Sequence, residues 1–373
     1  MERAQKQAIL RDLQKKMVFL AGPRQSGKTT LAKEIAKEFQ SSIYLNFDSV
    51  EDRNIIMKEA WLPSVELIIL DEIHKMKKWK NYLKGVFDTR AEKQKILVTG
   101  SARLEIFNQV GDSLAGRYFL HRLMPLSPSE CKQVSVHYPL ERFIERGGFP
   151  EPFLAAQLLD ANRWRMQYID SLLREDVLNF DSIQNVQAIR LIFELLRTKV
   201  GSSISYLSIA EDIEISPHTV KKYIQILEAL YIIFRITPYS RNIARSLLKE
   251  PKIYFFDVGL VKGDDGAKFE NLVALCLQKA VFAKVDYQAK PFTLKYLHTK
   301  QKHEVDFALV EDQQIKQMIE VKVSDASLSQ SLCYFHEKYN IPAVQVVKNL
   351  KKERMESGIA IRRADPFLAE LDL

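Results

Sequence analysis

Two groups of residues carry the types and spacings that phosphate chemistry demands. The first is Gly22-Pro23-Arg24-Gln25-Ser26-Gly27-Lys28-Thr29-Thr30, which satisfies G-x-x-x-x-G-K-[ST] in full. In that pattern the glycines let successive backbone N–H groups turn inward as an anion nest at a helix N-terminus. Lys28 would reach the β- and γ-phosphates of a nucleoside triphosphate, and the Thr29 hydroxyl would ligate Mg²⁺. Downstream, Leu67-Ile68-Ile69-Leu70-Asp71-Glu72 closes an apolar run with two carboxylates. Asp71 has the place of a partner of Mg²⁺, and Glu72 can orient and deprotonate an attacking water. ATP is the expected ligand and its hydrolysis the expected reaction.

The second group is Glu304-Val305-Asp306-Phe307 and, fourteen residues after Asp306, Glu320-Val321-Lys322. Both segments alternate with period two. Glu304, Asp306 and Ala308 therefore share one strand face, and Glu320 and Lys322 share another. The turn-prone Glu311 to Gln314 predicts a hairpin with the polar faces together. Asp306 and Glu320 would then converge as hard oxygen ligands for Mg²⁺ or Mn²⁺. Lys322 could orient an attacking water or stabilise charge developing on phosphorus. The same residues also suit an exposed cross-strand pair with no metal.

These side chains need strand ends and helix starts to place them. The apolar runs Met17 to Ala21, Ile43 to Phe47, Val65 to Leu70, Lys95 to Thr99 and Tyr118 to Leu123 read as parallel strands buried on both faces. Helical segments separate them, Thr30 to Phe39 first, which predicts a doubly covered α/β sheet. Asp71 then stands at the carboxyl end of a central strand, where open α/β sheets bind ligands. Thr99 and Ser101 end the next strand and are candidates to sense the γ-phosphate. Arg117, opening the last strand, could stabilise transition-state charge in its own site or a neighbouring subunit's, or form a structural salt bridge. The basic run His74 to Lys80 reads as a solvated helix start.

Gly147-Gly148-Phe149-Pro150-Glu151-Pro152 ends this first region, and a helical stretch from Ala155 to Asn179 follows. Ser205 to Asp212 and Ser216 to Ile224 then read as two short helices joined by a tight turn, with Ser216 as N-cap and Pro217 at the first helical position. That is a helix-turn-helix, and Tyr231 to Tyr239 could be its wing. His218, Thr219, Lys221 and Lys222 would face outward toward DNA, with Arg241, Arg245, Lys249 and Lys252 widening a basic surface. Glu211, Asp212 and Glu214 dilute that field, so a protein-docking role stays open.

The order G-P-R-Q-S-G-K-T-T-L, L-D-E-I-H-K, T-G-S-A-R, L-A-G-R-Y-F and Gly147-Gly148-Phe149-Pro150 resembles a prokaryotic AAA+-type ATPase family, AAA_14, with a DUF4143-type C-terminal region. The carboxylate spacing and E-x-K triplet resemble the PD-(D/E)xK nuclease superfamily. That resemblance adds Glu270, in the helix-like Lys268 to Lys279, as a first-helix metal ligand beside Asp306 and Glu320. The implied architecture is a P-loop ATPase domain with a parallel sheet (1–150), a helical region with a winged helix (151–245) and a restriction-endonuclease-like α/β domain (246–373).

Composition agrees with a protein of this kind. The 373 residues carry 55 Lys and Arg against 47 Asp and Glu, a formal net charge of +8, which leans toward polyanion partners. No apolar run approaches the roughly 20 residues of a membrane span. The N-terminus lacks the apolar core of a signal peptide, and three scattered cysteines suit a reducing cytoplasm. The expected function is ATP hydrolysis coupled to DNA engagement, with DNA cleavage as one output. The alternatives are a nucleotide-dependent switch that only binds DNA or protein, and a protein-remodelling ATPase. A homo-oligomer fits each of these.

Overall fold

In the computed structural model, which describes residues 3–100, 114–177, 185–240, 250–299, 301, 303–324 and 327–371, the five apolar runs become five strands. They are β1 (Met17–Ala21), β2 (Ser42–Asn46), β3 (Leu67–Asp71), β4 (Lys95–Thr99) and β5 (Tyr118–Arg122). All pair in parallel, in the order β2-β3-β4-β1-β5. Alternate residues feed opposite faces of the sheet. Met17, Phe19, Ile68, Leu70, Ile96 and Val98 pack against Ile56 of α3 (Val50–Lys58) and Trp79, Leu83 and Val86 of α4 (Trp79–Thr89). Val18, Leu20, Leu67, Ile69 and Leu97 pack against Ile9 and Leu13 of α1 (Lys6–Leu13) and Leu31 and Ile35 of α2 (Lys28–Ala36). Each such side chain contributes about 1.5–3 kcal/mol on burial, which fixes the register of the strand ends.

The chain divides into two compact units, Met1–Met124 and Pro125–Leu373. In the second, α5 (Pro128–Gln133), α6 (Leu140–Arg146), α7 (Pro150–Leu154), α8 (Leu158–Ser171) and α9 (Val186–Thr198) precede α10 (Tyr206–Ile213) and α11 (Pro217–Ala229). Strands β6 (Ile233–Ile236) and β7 (Lys252–Phe255) pair antiparallel, and α12 (Asp265–Gln288) leads into a six-stranded sheet. That sheet comprises β8 (Phe292–His298), β9 (Glu304–Glu311), β10 (Gln314–Ser324), β11 (Ala343–Asn349), β12 (Arg354–Glu356) and β13 (Ile359–Arg363), in the order β12-β13-β11-β10-β9-β8. The helix α13 (Gln330–Tyr339) connects β10 to the parallel β11, and α14 (Ala364–Ala369) follows β13.

Three departures from expectation have local causes. The Gly147 to Pro152 segment lies inside the second unit, where Leu126 N–H donates to Gly148 O at 2.7 Å. The helix expected from Ala155 begins only at Leu158, because Arg142 and Arg146 donate to the carbonyls of Phe153, Ala155 and Ala156 and so cap α7. Along β9, burial does not alternate: Val305 and Phe307 to Val310 are all buried, since α12 and α13 both pack on this sheet. No helix among the described residues is long and apolar enough to cross a membrane.

Candidate functional site

The loop after β1 turns on two glycines. Gly22 has φ +144°, and a Cβ there would lie 2.4 Å from Leu123 O; Gly27, at φ +96°, caps α2. Pro23 and Ser26 are buried, Arg24 and Thr29 half-buried, and Gln25 (φ +58°) and Thr30 exposed. The Lys28 ammonium is buried and donates to Gly22 O at 3.0 Å and Pro23 O at 2.6 Å. Burial lowers its pKa from 10.5 to about 8, against the pull of Glu72 and Asp71. The buried Ser26 hydroxyl has no hydrogen-bond partner among the described residues. Arg3 fastens the loop from outside, donating to Ser26 O at 2.7 Å and Met124 O at 2.5 Å.

Strand β4 separates the strand bearing this loop from the strand bearing the two carboxylates. Asp71 pairs in register with Asn46 on one side and Thr99 on the other. Thr99 Oγ1 donates to its Oδ1 at 2.5 Å, and the Glu72 N–H does so at 3.1 Å. Thr29 Oγ1 lies 3.3 Å from Oδ2, which also accepts from the Tyr44 hydroxyl. The two expected magnesium partners, Thr29 and Asp71, are thus already in contact. These oxygens, the Ser26 hydroxyl unpartnered among the described residues and a lysine held by two loop carbonyls fit a metal-bound triphosphate.

Glu72 leaves the strand with φ +56°, a sparsely populated conformation for a residue with a side chain. Its Oε2 lies 3.4 Å from His74 Nε2 and 3.9 Å from Lys75 Nζ. Burial and then repulsion from Asp71 raise its pKa. Arg117 forks onto Asp88, Nε to Oδ1 at 2.9 Å and a terminal nitrogen to Oδ2 at 3.0 Å. Ser101 lies outside the described residues, so Thr99 is the sensor candidate that the structure places.

In the second unit, Ser205 and Ser216 cap α10 and α11 through the N–H groups of Ser208 and Thr219. His218 and Lys221 are exposed and Thr219 and Lys222 half-buried. Arg241, Arg245 and Lys249 lie outside the described residues. Lys252 is not on this surface. It is 3% exposed and points to the carboxylates instead, 2.6 Å from Glu304 Oε1 and 4.0 Å from Asp306 Oδ1.

Those carboxylates do gather. The β9–β10 ladder runs to Phe307↔Ile319, just before Asp306 and Glu320, and the Val321 N–H donates to the Asp306 side chain at 2.9 Å. Lys322 Nζ lies 2.8 Å from Glu320 Oε1, while the buried Glu320 Oε2 has no hydrogen-bond partner among the described residues. Glu270, on α12, accepts from the Tyr254 hydroxyl at 2.7 Å. Burial and then repulsion from Asp306 push both Glu270 and Glu320 up to about 7. Burial raises Asp306 too, against the pull of Lys252. Among the described residues, however, no three His, Cys, Asp or Glu side chains are disposed to hold one metal ion. As they stand, these carboxylates do not fit the expected metal.

Comparison with known proteins accounts for both halves. The AAA_14 family, an AAA domain, matches residues 14–132, and DUF4143, a domain of unknown function, matches residues 265–363. The chain carries an AAA_14 P-loop ATPase domain and a DUF4143 domain. Between them, residues 138–264 match a third family, DUF8612, also a domain of unknown function. An uncharacterized protein of Mycobacterium tuberculosis is 27% identical over 246 residues, 66% of this chain and 55% of the relative, so the match spans about half of that relative's length. One from Methanocaldococcus jannaschii is 25% identical over 354 residues, 84% of this chain and 77% of the relative. Among solved structures, a Walker-type ATPase of Pyrococcus abyssi aligns with TM-score 0.43 and 12% identity, covering 69% of this chain and 93% of that one.

Sequence reasoning missed several residues of these sites. In the first unit, Tyr44 and Arg3 reach Asp71 and the phosphate loop from 27 and 23 residues away. In the DUF8612 match, Lys252 directly precedes the run Ile253 to Phe256, and a charge opening such a strand was the available signal. A solitary lysine among strand residues that are all buried needs carboxylate partners.

Proposed function

We propose that this protein hydrolyses ATP and couples the state of the bound nucleotide to engagement of DNA. The observation that carries the reading is the contact of Thr29 with Asp71, flanked by Lys28 on one side and Glu72 on the other. Thr29 and Asp71 would hold Mg²⁺ when it arrives with ATP, and the ion would supply positive charge to offset that of the phosphates. Gly22 to Thr30 would wrap the phosphates, and Lys28 would exchange its two loop carbonyls for phosphate oxygens. Glu72, held near His74 and made more basic by its surroundings, would take the proton of the attacking water. Arg117, whose fork Asp88 occupies, remains a candidate for transition-state charge in its own site or a neighbour's.

The DNA half of the proposal rests on the capped pair α10 and α11, read as a winged helix-turn-helix, with His218 and Lys221 exposed on the second helix. A division of roles goes with it: nucleotide chemistry in Met1–Met124, DNA contact in 151–245 and the carboxylate region in 246–373. A cytoplasmic homo-oligomer suits that scheme. Steady-state ATPase with and without DNA, repeated with His218, Lys221 and Lys222 replaced by alanine, tests it. DNA stimulation that vanishes in the triple variant is expected; stimulation by unfolded protein alone would favour remodelling.

A second reading is metal-dependent DNA cleavage in a restriction-endonuclease-like domain. It is favoured by the orphan oxygen of Glu320 beside Asp306 and Lys322. Plasmid and single-strand cleavage with Mg²⁺ or Mn²⁺ tests it, with Lys322→Ala as control. ATP-dependent retention on DNA without cleavage would leave a nucleotide-dependent switch.

A further inference from the structure

The carboxylate region receives positive charge from a strand outside its own sheet. Lys252 opens β7, pairs through its backbone with Ile236 of β6, and sends its side chain to Glu304 and Asp306 on β9. Its ammonium also lies 5.3 Å from the centre of the Tyr296 ring. The Lys252 ammonium thus stands 4.0 Å from the Asp306 oxygen that a metal would need.

That position bears on why, among the described residues, no three of these side chains are disposed to hold one metal ion. Asp306 has one oxygen facing Lys252 and the other taken by the Val321 N–H. Glu304 is drawn to Lys252, and Glu320 shares an oxygen with Lys322. An ammonium and a divalent ion cannot both sit against Asp306 at low cost, because like charges repel strongly where water is excluded. We propose that Lys252 is a further functional side chain of this site, a built-in cation that competes with divalent metal for Asp306 and so sets metal access. This rests on the metal-dependent second reading above.

The test is Mn²⁺ affinity, measured by electron paramagnetic resonance on the full chain without nucleotide, with Asp71→Asn present throughout to silence the first site. Lys252→Met keeps the length of the side chain and removes its charge. It should tighten Mn²⁺ binding about tenfold or more, and adding Glu320→Gln should abolish the gain. Glu304→Gln, at a half-exposed position, should act in the opposite direction. Losing its main partner turns Lys252 wholly to Asp306, which weakens Mn²⁺ binding several-fold. Circular dichroism and thermal unfolding establish that each variant is folded.

Unchanged or weaker affinity in folded Lys252→Met, with parental binding still removed by Glu320→Gln, would overturn the role of Lys252 and leave the metal reading standing. If Lys252→Met does not fold, unchanged affinity in Glu304→Gln overturns it equally. Absence of Mn²⁺ binding in every variant removes the metal reading and this proposal together.

Discussion

The buried ammonium of Lys28 should make the nucleotide-free protein less stable than it could be. Its fall from 10.5 to about 8 corresponds to about 3 kcal/mol, at roughly 1.36 kcal/mol per pH unit. Replacement by methionine removes that penalty and loses the two bonds to Gly22 O and Pro23 O, which return about 1–2 kcal/mol. Lys28→Met is therefore expected to stabilise the first unit by about 1–2 kcal/mol, a rise of about 3–8 °C in its unfolding transition. The pH dependence has a definite sign. Below pH 8 the folded and unfolded chains both carry the proton, and the penalty is full. Between about 8 and 10.5 the unfolded state binds more protons, so the parent gains stability with pH and its gap to Lys28→Met closes. Calorimetry at pH 7 and pH 10, with ATP binding measured in parallel, reads both effects. A variant that unfolds earlier than the parent at pH 7 would refute the reasoning. It would mean that the ammonium holds the loop together by more than its burial costs.

Three further outcomes follow from other parts of the structure. Gly22→Ala sets a Cβ 2.4 Å from the Leu123 carbonyl at a φ of +144°, so ATP-analogue affinity should fall at least about tenfold with a loss of about 2 kcal/mol or more in stability. Unchanged affinity by titration calorimetry would contradict the loop geometry. Lys279 donates to Pro125 O at 2.8 Å and pairs with the fully buried Glu130. Lys279→Met should then cost about 3–5 kcal/mol in urea unfolding, and a loss under about 1 would show that Glu130 finds other compensation. Because Glu72 is raised above the ordinary 4.5 and is proposed to act deprotonated, kcat should fall as pH drops through a value above 4.5. A flat rate down to pH 4.5 would contradict its role as base.

The first unit was largely legible in the sequence because its signals are local. Strands buried on both faces read as apolar runs, so Met17–Ala21 and Lys95–Thr99 appear with their expected limits and the others within two residues. The phosphate loop and Asp71-Glu72 were legible because consecutive residues carry the chemistry. Caps at Ser205 and Ser216 were readable for the same reason. Contacts made across long stretches of chain were not. Tyr44 meets Asp71 only because β2 lies beside β3, and Lys252 meets Glu304 only because β7 approaches β9. The break before α8 was hidden as well, since it depends on arginines a dozen residues upstream reaching carbonyls that a continuous helix would have used itself. A charged side chain within or at the edge of an apolar run marks such a site without naming its partner, as Lys279 and Lys252 show.

The central proposal is that Glu72, one residue beyond the proposed magnesium partner Asp71, makes this a hydrolytic site. Steady-state ATP hydrolysis by the parent and by Glu72→Gln, with nucleotide affinity measured on both, tests it most directly. A fall in kcat of at least about 100-fold with affinity retained is the predicted result. Equal rates in the two proteins would contradict it.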